Sequence, residues 1–253
     1  MIVTIMQPAY LPWLGYFHRA HLADLHIVLD HVAIDLNSKT KFANRNRIRT
    51  AQGWTWLTVP LKTKGHHGEL MLDTLAVGDD DRWRSKHHQA LRLNYARAPH
   101  FAEHQAYFAN FYEQPWERLN DLCRELTGYL MRAIGVTTPV VHSSTLPVRS
   151  HKDALILDLC REVGATTYLS GPFGRDYLDP AAFAEAGIAL VFHDYQSPVY
   201  PQVFPGFEPF MSAVDLLFNC GSRSLDALSN GNMDRSALAE HVADLLSLKR
   251  ISP

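Results

Sequence analysis

The turn QPAYLPW, residues 7–13, has residue types that could bind a small ligand, because it joins an apolar run at residues 2–6 to a helix-like segment. Free backbone N–H groups at a helix N-terminus suit a phosphate or carboxylate, and a glycine in the first turn, Gly15, permits close approach. A polar Gln7 at the end of a buried strand needs a partner. The candidate substrate-binding residues here are Gln7, Tyr10, Trp13 and Gly15. The alternative is that the aromatic residues only pack the helix on the sheet.

The stretch SKTKFANRNRIRT, residues 38–50, contains five basic residues and no acidic residue. Arginine favours phosphate and carboxylate groups, and asparagine can fix a ligand amide or hydroxyl. The sequence therefore offers an anion-binding cluster whose candidate substrate-binding residues are Asn44, Arg45, Asn46 and Arg47. The simpler interpretation is a solvated loop without a specific role, although Phe42 and Ile48 indicate that part of it is anchored.

His31 is the best candidate for a general base, because it comes just after the carboxyl end of the predicted second strand. Histidine is the side chain whose ordinary pKa lies near neutral pH, as a general base requires. Asp30 beside it could orient a neighbouring group or pair with Arg45 or Arg47. We take His31 and Asp30 as candidate catalytic residues. The alternative is that the two residues only begin a loop.

Two further stretches could contact a ligand. After the apolar run at residues 166–169, the backbone N–H groups near Ser170 and Gly171 could bind an anion. Farther on, Tyr200 and Gln202 are polar groups among apolar neighbours. These four residues complete the set of candidate substrate-binding residues. Asp179 fits the N-cap of a helix and is interpreted as structural.

Metal binding and covalent catalysis are not indicated by the sequence. Neither an HExxH motif nor a Cys/His ligand spacing occurs among the 14 histidines and three cysteines. The histidine pairs at residues 18 and 21 and at residues 100 and 104 could each face one ligand, but a third ligand cannot be located for either pair. A nucleophile elbow is also missing, and the cysteines are isolated. We therefore expect no metal, no cofactor and no covalent intermediate.

The composition is that of an ordinary globular protein, with 47% hydrophobic and 20% charged residues. The formal charge of -2 gives no general reason to bind nucleic acid or an anionic membrane. No apolar run reaches the length of a membrane span, and the N-terminus lacks a signal-peptide pattern. Because isolated cysteines suit a reducing compartment, we expect a cytoplasmic protein. The sequence does not indicate its oligomeric state.

Apolar runs alternate with helical patterns at both ends of the chain. This alternation predicts an α/β fold, Rossmann-like, with a mainly parallel sheet flanked by helices. The predicted strands are residues 2–6, 26–29, 54–61, 70–77, 140–141, 166–169 and 188–192. The predicted helices are residues 82–95, 101–112, 116–134, 152–163, 180–186 and 236–248. We expect residues 1–253 to form a single α/β domain, with a helical insertion or subdomain at residues 81–135.

Several motifs resemble those of the WbqC-like protein family, in order along nearly the whole chain. They are QPAYLPWLGYF at residues 7–17, NRNRIRT followed by WLTVPL, KHHQALRLNYARAPHF at residues 86–101, YLSG at residues 168–171 and SAVDLLFNCG at residues 212–221. The opening also looks loosely like nucleotidylyltransferases with a HIGH-type motif, which is a likeness of fold alone.

The resemblance implies a role in building or decorating sugars, because WbqC-like proteins are found in bacterial polysaccharide and O-antigen clusters, often near genes for amino-sugar synthesis. It also implies that His87, in the motif at residues 86–101, reaches the site from the helical segment as a third candidate catalytic residue. Asp30-His31 and Lys41-Phe42 depart from the family pattern beside the expected site. The identity of the substrate is therefore not carried over.

Two functions compete. The first is a transferase that acts on an activated donor and an amine-bearing sugar or similar small metabolite to form an amide. His31 would deprotonate the amine, while Arg45 and Arg47 hold the phosphate of a nucleotide sugar or of a carrier-bound acyl donor. The second is a non-catalytic sugar-nucleotide-binding or assembly protein of the same pathway, favoured by the absence of a firm catalytic motif. A metal-dependent hydrolase is a third hypothesis.

Overall fold

The computed structural model describes residues 1–34, 42–64, 68–151 and 153–249. The strands in this part of the chain are β1 (Ile2–Met6), β2 (Leu25–Val28), β3 (Arg45–Thr50), β4 (Gly53–Thr58), β5 (Val140–His142), β6 (Thr167–Ser170) and β7 (Ala189–Phe192). The helices are α1 (Leu14–Leu22), α2 (Arg82–Tyr95), α3 (Phe101–Glu113), α4 (Leu119–Ile134), α5 (Asp153–Glu162), α6 (Pro180–Glu185), α7 (Ala213–Cys220), α8 (Ser224–Ser229) and α9 (Arg235–Lys249).

A five-stranded parallel sheet has the strand order β5-β2-β1-β6-β7, and β3 and β4 form a separate antiparallel hairpin. The chain builds the sheet outward from β1 through β2 and β5, and then crosses back to place β6 on the other side of β1. The carboxyl ends of β1 and β6 therefore meet where the strand order reverses, which is where such sheets bind ligands. The predicted α/β fold with a mainly parallel sheet is confirmed.

Alternate residues of β1 enter different cores, because successive side chains of a strand point to opposite faces. Val3 and Ile5 pack with α5 and α6 on one face. Met6 packs on the other face, in a core that also contains residues of α1, α4 and α7. Apolar residues of α2, α3 and the β3–β4 hairpin belong to this second core as well. The sheet is thus covered on both faces, which explains the near-continuous apolar run of β1.

The helical middle of the chain is present as α2, α3 and α4. Helix α4 forms because its apolar residues recur at three- and four-residue spacing and make one buried stripe. Gly135 ends the helix with a φ of 97°, a left-handed conformation that favours glycine. Since these helices share a core with α1 and the end of β1, we keep a single domain with a helical insertion at residues 81–135 as a proposal.

Two local predictions are wrong. Residues 70–77 are not a strand, because they form only single bridges, at Met71, Ala76 and Val77. Their alternating pattern arises because apolar side chains of an irregular segment are buried in the core. The second half of the basic stretch is not a solvated loop, because residues 45–50 form β3 and Arg49 is 3% exposed. Lys39 and Lys41 lie outside the described residues.

Asn46 fixes the β3–β4 hairpin to the turn that follows β1. Its side chain is 1% exposed, and its Nδ2 donates to the carbonyl of Leu11 at 2.6 Å. Asn46 Oδ1 accepts from the backbone N–H of Arg47 at 2.8 Å. Leu11 has a φ of 50°, which costs a residue other than glycine about 1–2 kcal/mol. A hydrogen bond to its carbonyl therefore stabilises a strained turn.

Replacing Asn46 by alanine is expected to destabilise the protein by about 2–3 kcal/mol, because a buried carbonyl loses its donor. The matched control is Asn44→Ala, which removes one half-buried bond to the carbonyl of Val59 and is expected to cost about 0.5–1.5 kcal/mol. Urea unfolding of both variants measures the two losses. Equal losses of stability in the two variants would show that the hydrogen bond of Asn46 contributes no more than that of Asn44.

Candidate functional site

The carboxyl ends of β2 and β5 lie side by side, because their last residues, Val28 and His142, are paired in the register. Just beyond them, Asp30 is 2% exposed. Its carboxylate accepts hydrogen bonds from His142 Nδ1 (3.0 Å), Ser143 Oγ (3.1 Å), Ser144 N (2.9 Å), Ser144 Oγ (2.9 Å) and Asn120 Nδ2 (3.2 Å). One buried carboxylate therefore joins β2, β5 and helix α4.

The ionisation states of Asp30 and His142 follow from their partners. Burial alone would raise the pKa of the Asp30 carboxyl, but hydrogen bonds from His142, Ser144 and Asn120 outweigh burial and hold this pKa well below its usual range. Arg124 Nε donates to His142 Nε2 at 2.8 Å. His142 Nε2 is therefore the acceptor, and Nδ1 carries the hydrogen that Asp30 accepts. A carboxylate orients a neutral imidazole in this way for base catalysis.

His31, the predicted general base, is half-buried and contacts Ser143, one of the donors to Asp30. Its Nδ1 is 2.6 Å from Ser143 Oγ, and Ser143 Oγ is 3.1 Å from Asp30 Oδ1. Within the described part of the chain, His31 Nε2 is a buried atom without a hydrogen-bond partner. The structure thus brings the two predicted catalytic residues Asp30 and His31 together through Ser143, and it leaves one nitrogen of His31 unpaired.

A cavity of about 230 Å³ lies between the sheet and α4, next to this cluster. Its polar lining comes from Tyr16, Asn120, Arg124, Thr127 and His142. Asn120 Oδ1 is buried without a partner among the described residues, so a ligand could hydrogen-bond to it. Cys123 also lines the cavity, but burial raises the pKa of its thiol well above the usual value. That thiol is therefore not a ready nucleophile.

A larger and more open depression, of about 450 Å³, lies along residues 147–150 and α5. Three of its four charged groups, Arg149, Asp158 and Arg161, already have partners. Arg161 pairs with Asp158 at 3.1 Å, and Arg149 donates to the carbonyls of Leu146 and Val148. We therefore place the candidate active site at the smaller cavity, which His142 lines and which lies next to the buried Asp30 carboxylate.

Tyr10 and His87 are buried together in a different cluster. Tyr10 OH is 2.8 Å from His87 Nδ1 and 2.5 Å from Tyr112 OH. Burial lowers the pKa of His87 to about 4, so this histidine is neutral at pH 7. Its aromatic contacts are with Tyr10, Trp83 and Tyr112. The structure does not bring His87 to Asp30 and His31, and a catalytic role for it stays a prediction.

The other candidates of the first turn have separate surroundings. Gln7 is exposed, so water can satisfy its amide without a ligand, and its contact with a substrate stays a prediction. Trp13 is half-buried, with its ring centroid 5.1 Å from that of Phe42. Gly15 lies against Tyr195, since a Cβ at Gly15 would be 2.9 Å from Tyr195 Cδ1. The absence of a side chain at Gly15 therefore serves packing.

Arg45 and Arg47 lie on one face of the β3–β4 hairpin, because residues two apart on a strand share a face. The guanidinium of Arg45 is 4.4 Å from the ring centroid of Trp56, and that of Arg47 is 4.9 Å from the ring centroid of Trp54. In the residues that the structure describes, neither arginine has an ion pair, and the Nε atom of each is buried without a partner. Arg47 Nη2 donates to the carbonyl of Phe210 at 3.2 Å, so each guanidinium keeps N–H groups that an anion could accept from, but that of Arg47 is partly engaged.

Tyr200 and Gln202 belong to a buried network around Asp215. Tyr200 OH donates to Asp215 Oδ2 at 2.7 Å, and Gln202 Nε2 donates to it at 2.8 Å. Ser170 and Gly171 lie elsewhere, at the carboxyl end of β6. Contacts of these four residues with a substrate stay predictions. The hydrogen bonds of Tyr200 and Gln202 indicate that both residues also hold residues 200–208 on α7.

Several residues of the site were missed by reasoning from the sequence: Asn120, Arg124, His142, Ser143 and Ser144. Two signals could have found them. The tripeptide HSS, residues 142–144, directly follows the predicted strand at residues 140–141. Asn120 and Arg124 are four residues apart in a predicted helix and so share one face.

Metal ligation finds no support in the described part of the chain, where no group of three or more His, Cys, Asp or Glu side chains could hold an ion. The histidines of the HxxxH pair have separate partners: His100 Nδ1 is 2.7 Å from Glu103, and His104 Nδ1 is 2.7 Å from the Tyr129 hydroxyl. None of the described helices combines the length and the apolar character that crossing a bilayer requires.

Comparison with known proteins identifies relatives of the chain. The model of the WbqC-like protein family matches residues 7–227, a range that contains every residue of the candidate site. The chain is similar to "Uncharacterized protein Rv1507c" of Mycobacterium tuberculosis, with 37% identity over 228 residues, 89% of this chain and 96% of that protein. No solved structure matches the chain.

The Asp30 carboxylate is expected to make the fold sensitive to acid. Because its pKa in the folded protein lies below the unfolded value of about 3.9, its stabilisation is fully present above that value. It is lost as the pH falls toward the folded pKa. Asp30→Asn should lower the free energy of unfolding at pH 6 by about 2 kcal/mol or more. It should also flatten the dependence of that free energy on pH between 5 and 3.

The matched control is Asp121→Asn, which removes an exposed carboxyl from α4. Its free energy of unfolding is expected to follow the wild-type pH dependence closely. Urea unfolding at a series of pH values measures all three proteins. An Asp30→Asn protein that loses as much stability on acidification as the wild type would contradict the assignment.

Proposed function

Since the chain belongs to the WbqC-like protein family, we propose that it is a transferase of bacterial polysaccharide, amino-sugar or related small-metabolite biosynthesis. The reaction is the transfer of an acyl or aminoacyl group to an amine, with formation of an amide. The observation that carries the proposal is the Asp30–His142 pair beside a cavity. Amide formation needs a group that accepts a proton from the amine, and a neutral imidazole oriented by a carboxylate suits that role.

In the proposed reaction the amine nitrogen attacks the carbonyl carbon of the activated acyl donor. His142 Nε2 accepts the proton that the nitrogen loses. Asp30, which accepts the hydrogen bond from His142 Nδ1, stabilises the imidazolium that forms. The bond between the carbonyl carbon and the leaving group then breaks, and the imidazolium returns the proton to the leaving group.

In this proposal the position of Arg124 determines whether His142 Nε2 can accept a proton. In the structure Arg124 Nε donates to His142 Nε2, so a ligand must draw the guanidinium away before His142 can act as a base. A phosphate or the carbonyl oxygen of the donor is an acceptor that would do so. The Arg124 guanidinium would then face the negative charge that develops on the carbonyl oxygen. The side chain of Arg124 is exposed, which leaves room for that movement.

The size of the cavity restricts what can enter it. Its volume of about 230 Å³ lies below the range of about 300–1,000 Å³ that is usual for sites that bury a whole drug-sized ligand. We propose that it holds only a small acyl or aminoacyl group. The larger part of the substrate, a nucleotide sugar or a carrier-bound acyl donor, would be held outside by Arg45 and Arg47 over the rings of Trp54 and Trp56.

His31 is the second candidate for the base. Its Nε2 is unpaired in the described structure, but its Nδ1 contacts a serine rather than a carboxylate. It is also not part of the cavity wall. We therefore propose His142 as the base and His31 as a residue that positions Ser143 and, through it, Asp30.

A non-catalytic binding or assembly protein of the same pathway is the second candidate function. The observation that favours it is the hydrogen bond from Arg124 to His142 Nε2, because it occupies the nitrogen that would act as a base. In that case the cavity and the arginines of the hairpin recognise a sugar nucleotide without turnover.

His142→Ala is expected to lower kcat by about 10²- to 10⁴-fold while KM changes little, because the base acts on the chemical step. His31→Ala should have a smaller effect, and His151→Ala, which changes an exposed histidine, should have none. The assay supplies acyl and aminoacyl donors with amino-sugar nucleotides and detects the amide by mass spectrometry. Larger loss in His31→Ala than in His142→Ala would reverse the two roles. Absence of any amide, together with binding of a nucleotide sugar, would support the second function.

Arg47→Met is expected to weaken binding of a phosphorylated ligand about tenfold or more with little loss of stability, since Arg47 is partly exposed. Arg49→Met is the contrasting variant. Arg49 is buried and donates to the carbonyls of Gly53 and Pro205, so its loss should destabilise the fold by about 2–4 kcal/mol. Thermal shifts with nucleotide sugars measure both effects. An unchanged ligand response in Arg47→Met would exclude the hairpin as the phosphate site.

A further inference from the structure

Arg19, on helix α1, is a buried cation without an anionic partner. Its side chain is 9% exposed. In the residues that the structure describes, it forms no ion pair, and no hydrogen bond joins its guanidinium to an acceptor. Its electrostatic neighbours include the phenols of Tyr168, Tyr16 and Tyr177, which are neutral at pH 7.

Burial of the Arg19 guanidinium raises the free energy of the folded protein. An isolated buried cation loses hydration that only an anion or several hydrogen bonds can replace. Burial lowers the pKa of Arg19, but a guanidinium stays protonated in proteins, so deprotonation does not remove the charge. The described protein groups leave this charge uncompensated.

The guanidinium of Arg19 lies at the edge of the sheet where ligands bind. Arg19 Nη1 occupies the space of a side chain at Gly171, so any Cβ at that position would clash with it. Gly171 directly follows β6 at its carboxyl end. β6 pairs with β1 in parallel, and the exposed Gln7 directly follows β1. The guanidinium is thus beside the carboxyl end of β6, next to the point where the strand order reverses.

The nearest basic and acidic groups do not supply the missing anion. His193, at the end of β7, has a pKa of about 3, lowered by burial and by the charges of Arg19 and His18. It is therefore neutral at pH 7. Asp194 follows it, but its carboxylate is engaged by Arg175, at 2.9 Å and 2.8 Å. The acid next in the chain is thus already paired at the surface.

We propose that the crevice between the carboxyl ends of β1 and β6 is a binding site for an anionic group, a phosphate or a carboxylate, held by Arg19. Gly171 leaves the space through which the guanidinium reaches the ligand, and the amide of Gln7 stands at the adjacent strand end as a further hydrogen-bonding group. The site is separate from the His142 cavity, and the inference does not depend on acyl transfer.

The test compares the wild-type protein with Arg19→Met and Arg175→Met. Arg175→Met is the matched control, because it removes an arginine that already has an acidic partner near the same loop. Thermal unfolding is followed against inorganic phosphate, pyrophosphate and malonate, each compared with sodium chloride at equal ionic strength to remove the effect of screening. Phosphorus NMR of pyrophosphate measures the dissociation constant and the number of sites.

Wild type and Arg175→Met are expected to show a saturable rise of the unfolding temperature that includes one site per chain which Arg47→Met does not remove. Arg19→Met should weaken the dissociation constant at least about tenfold. In anion-free buffer Arg19→Met should unfold at or above the wild-type temperature, because it removes an uncompensated charge. A response to phosphates alone would assign a phosphate-bearing ligand, and a response to malonate alone would assign a carboxylate.

A different set of outcomes would overturn the proposal. An Arg19→Met protein that unfolds at a lower temperature and binds pyrophosphate as the wild type does would show that Arg19 only packs the fold. Absence of any saturable response in the wild type would have the same consequence. If Arg19→Met does not fold, Arg19→Gln removes the charge but keeps a polar side chain of hydrogen-bonding character, and binding equal to that of the wild type would again exclude Arg19. None of these measurements uses an acyl donor, so they are independent of the proposed reaction.

Discussion

A buried carboxylate must be matched by hydrogen-bond donors, and the arrangement around Asp30 shows what that requirement does to the fold. Donors arrive from the end of β5 and from helix α4, so the helical middle of the chain and the sheet cannot shift independently without breaking a hydrogen bond to a buried charge. A hydrogen bond to a charged group contributes about 1.5–3 kcal/mol, more than an ordinary one. The same set of bonds selects one tautomer of His142 and directs its Nε2 toward Arg124. The hydrogen bonds of Asp30 therefore both hold these elements together and orient His142.

In the β3–β4 hairpin, a buried positive charge likewise requires hydrogen-bond partners. Arg49 is buried because carbonyl oxygens of the hairpin and of the segment after β7 satisfy its guanidinium. Arg45 and Arg47 instead rest on Trp56 and Trp54, where a cation–π contact contributes only about 0.5–1 kcal/mol at exposed sites. Three arginines at alternate positions of one strand thus have different roles. Their exposure and partners, rather than their residue type, decide which are fixed and which remain available.

The sequence predicted the elements whose causes are local. The apolar run of β1, the amphipathic pattern of α2 and the glycine stop after α4 all follow from short-range rules. Asp30 and His31 were found because polar residues after a buried strand lie at one edge of the sheet. Asn120 and Arg124 were not found. A helical pattern predicts which residues share one face of a helix, but it does not predict which strand end that face packs against. The strand prediction for residues 70–77 was wrong for a related reason. Alternation of apolar and polar residues indicates that one side of a segment is buried, but it does not indicate that the segment pairs with another strand.

The two charged groups at the carboxyl edge of the sheet differ in a way that bears on function. Asp30 is satisfied by donors of the protein itself, so its geometry exists before a ligand arrives, as a catalytic group requires. Arg19 has no acceptor among the described residues, so its interaction energy is realised only when an anion is present. Binding energy that appears on ligand association can secure the substrate, whereas prearranged groups lower the barrier of the reaction itself. The proposed transfer of a small group from an anionic donor to an amine would use both kinds of charge, at separate places along one edge of the sheet.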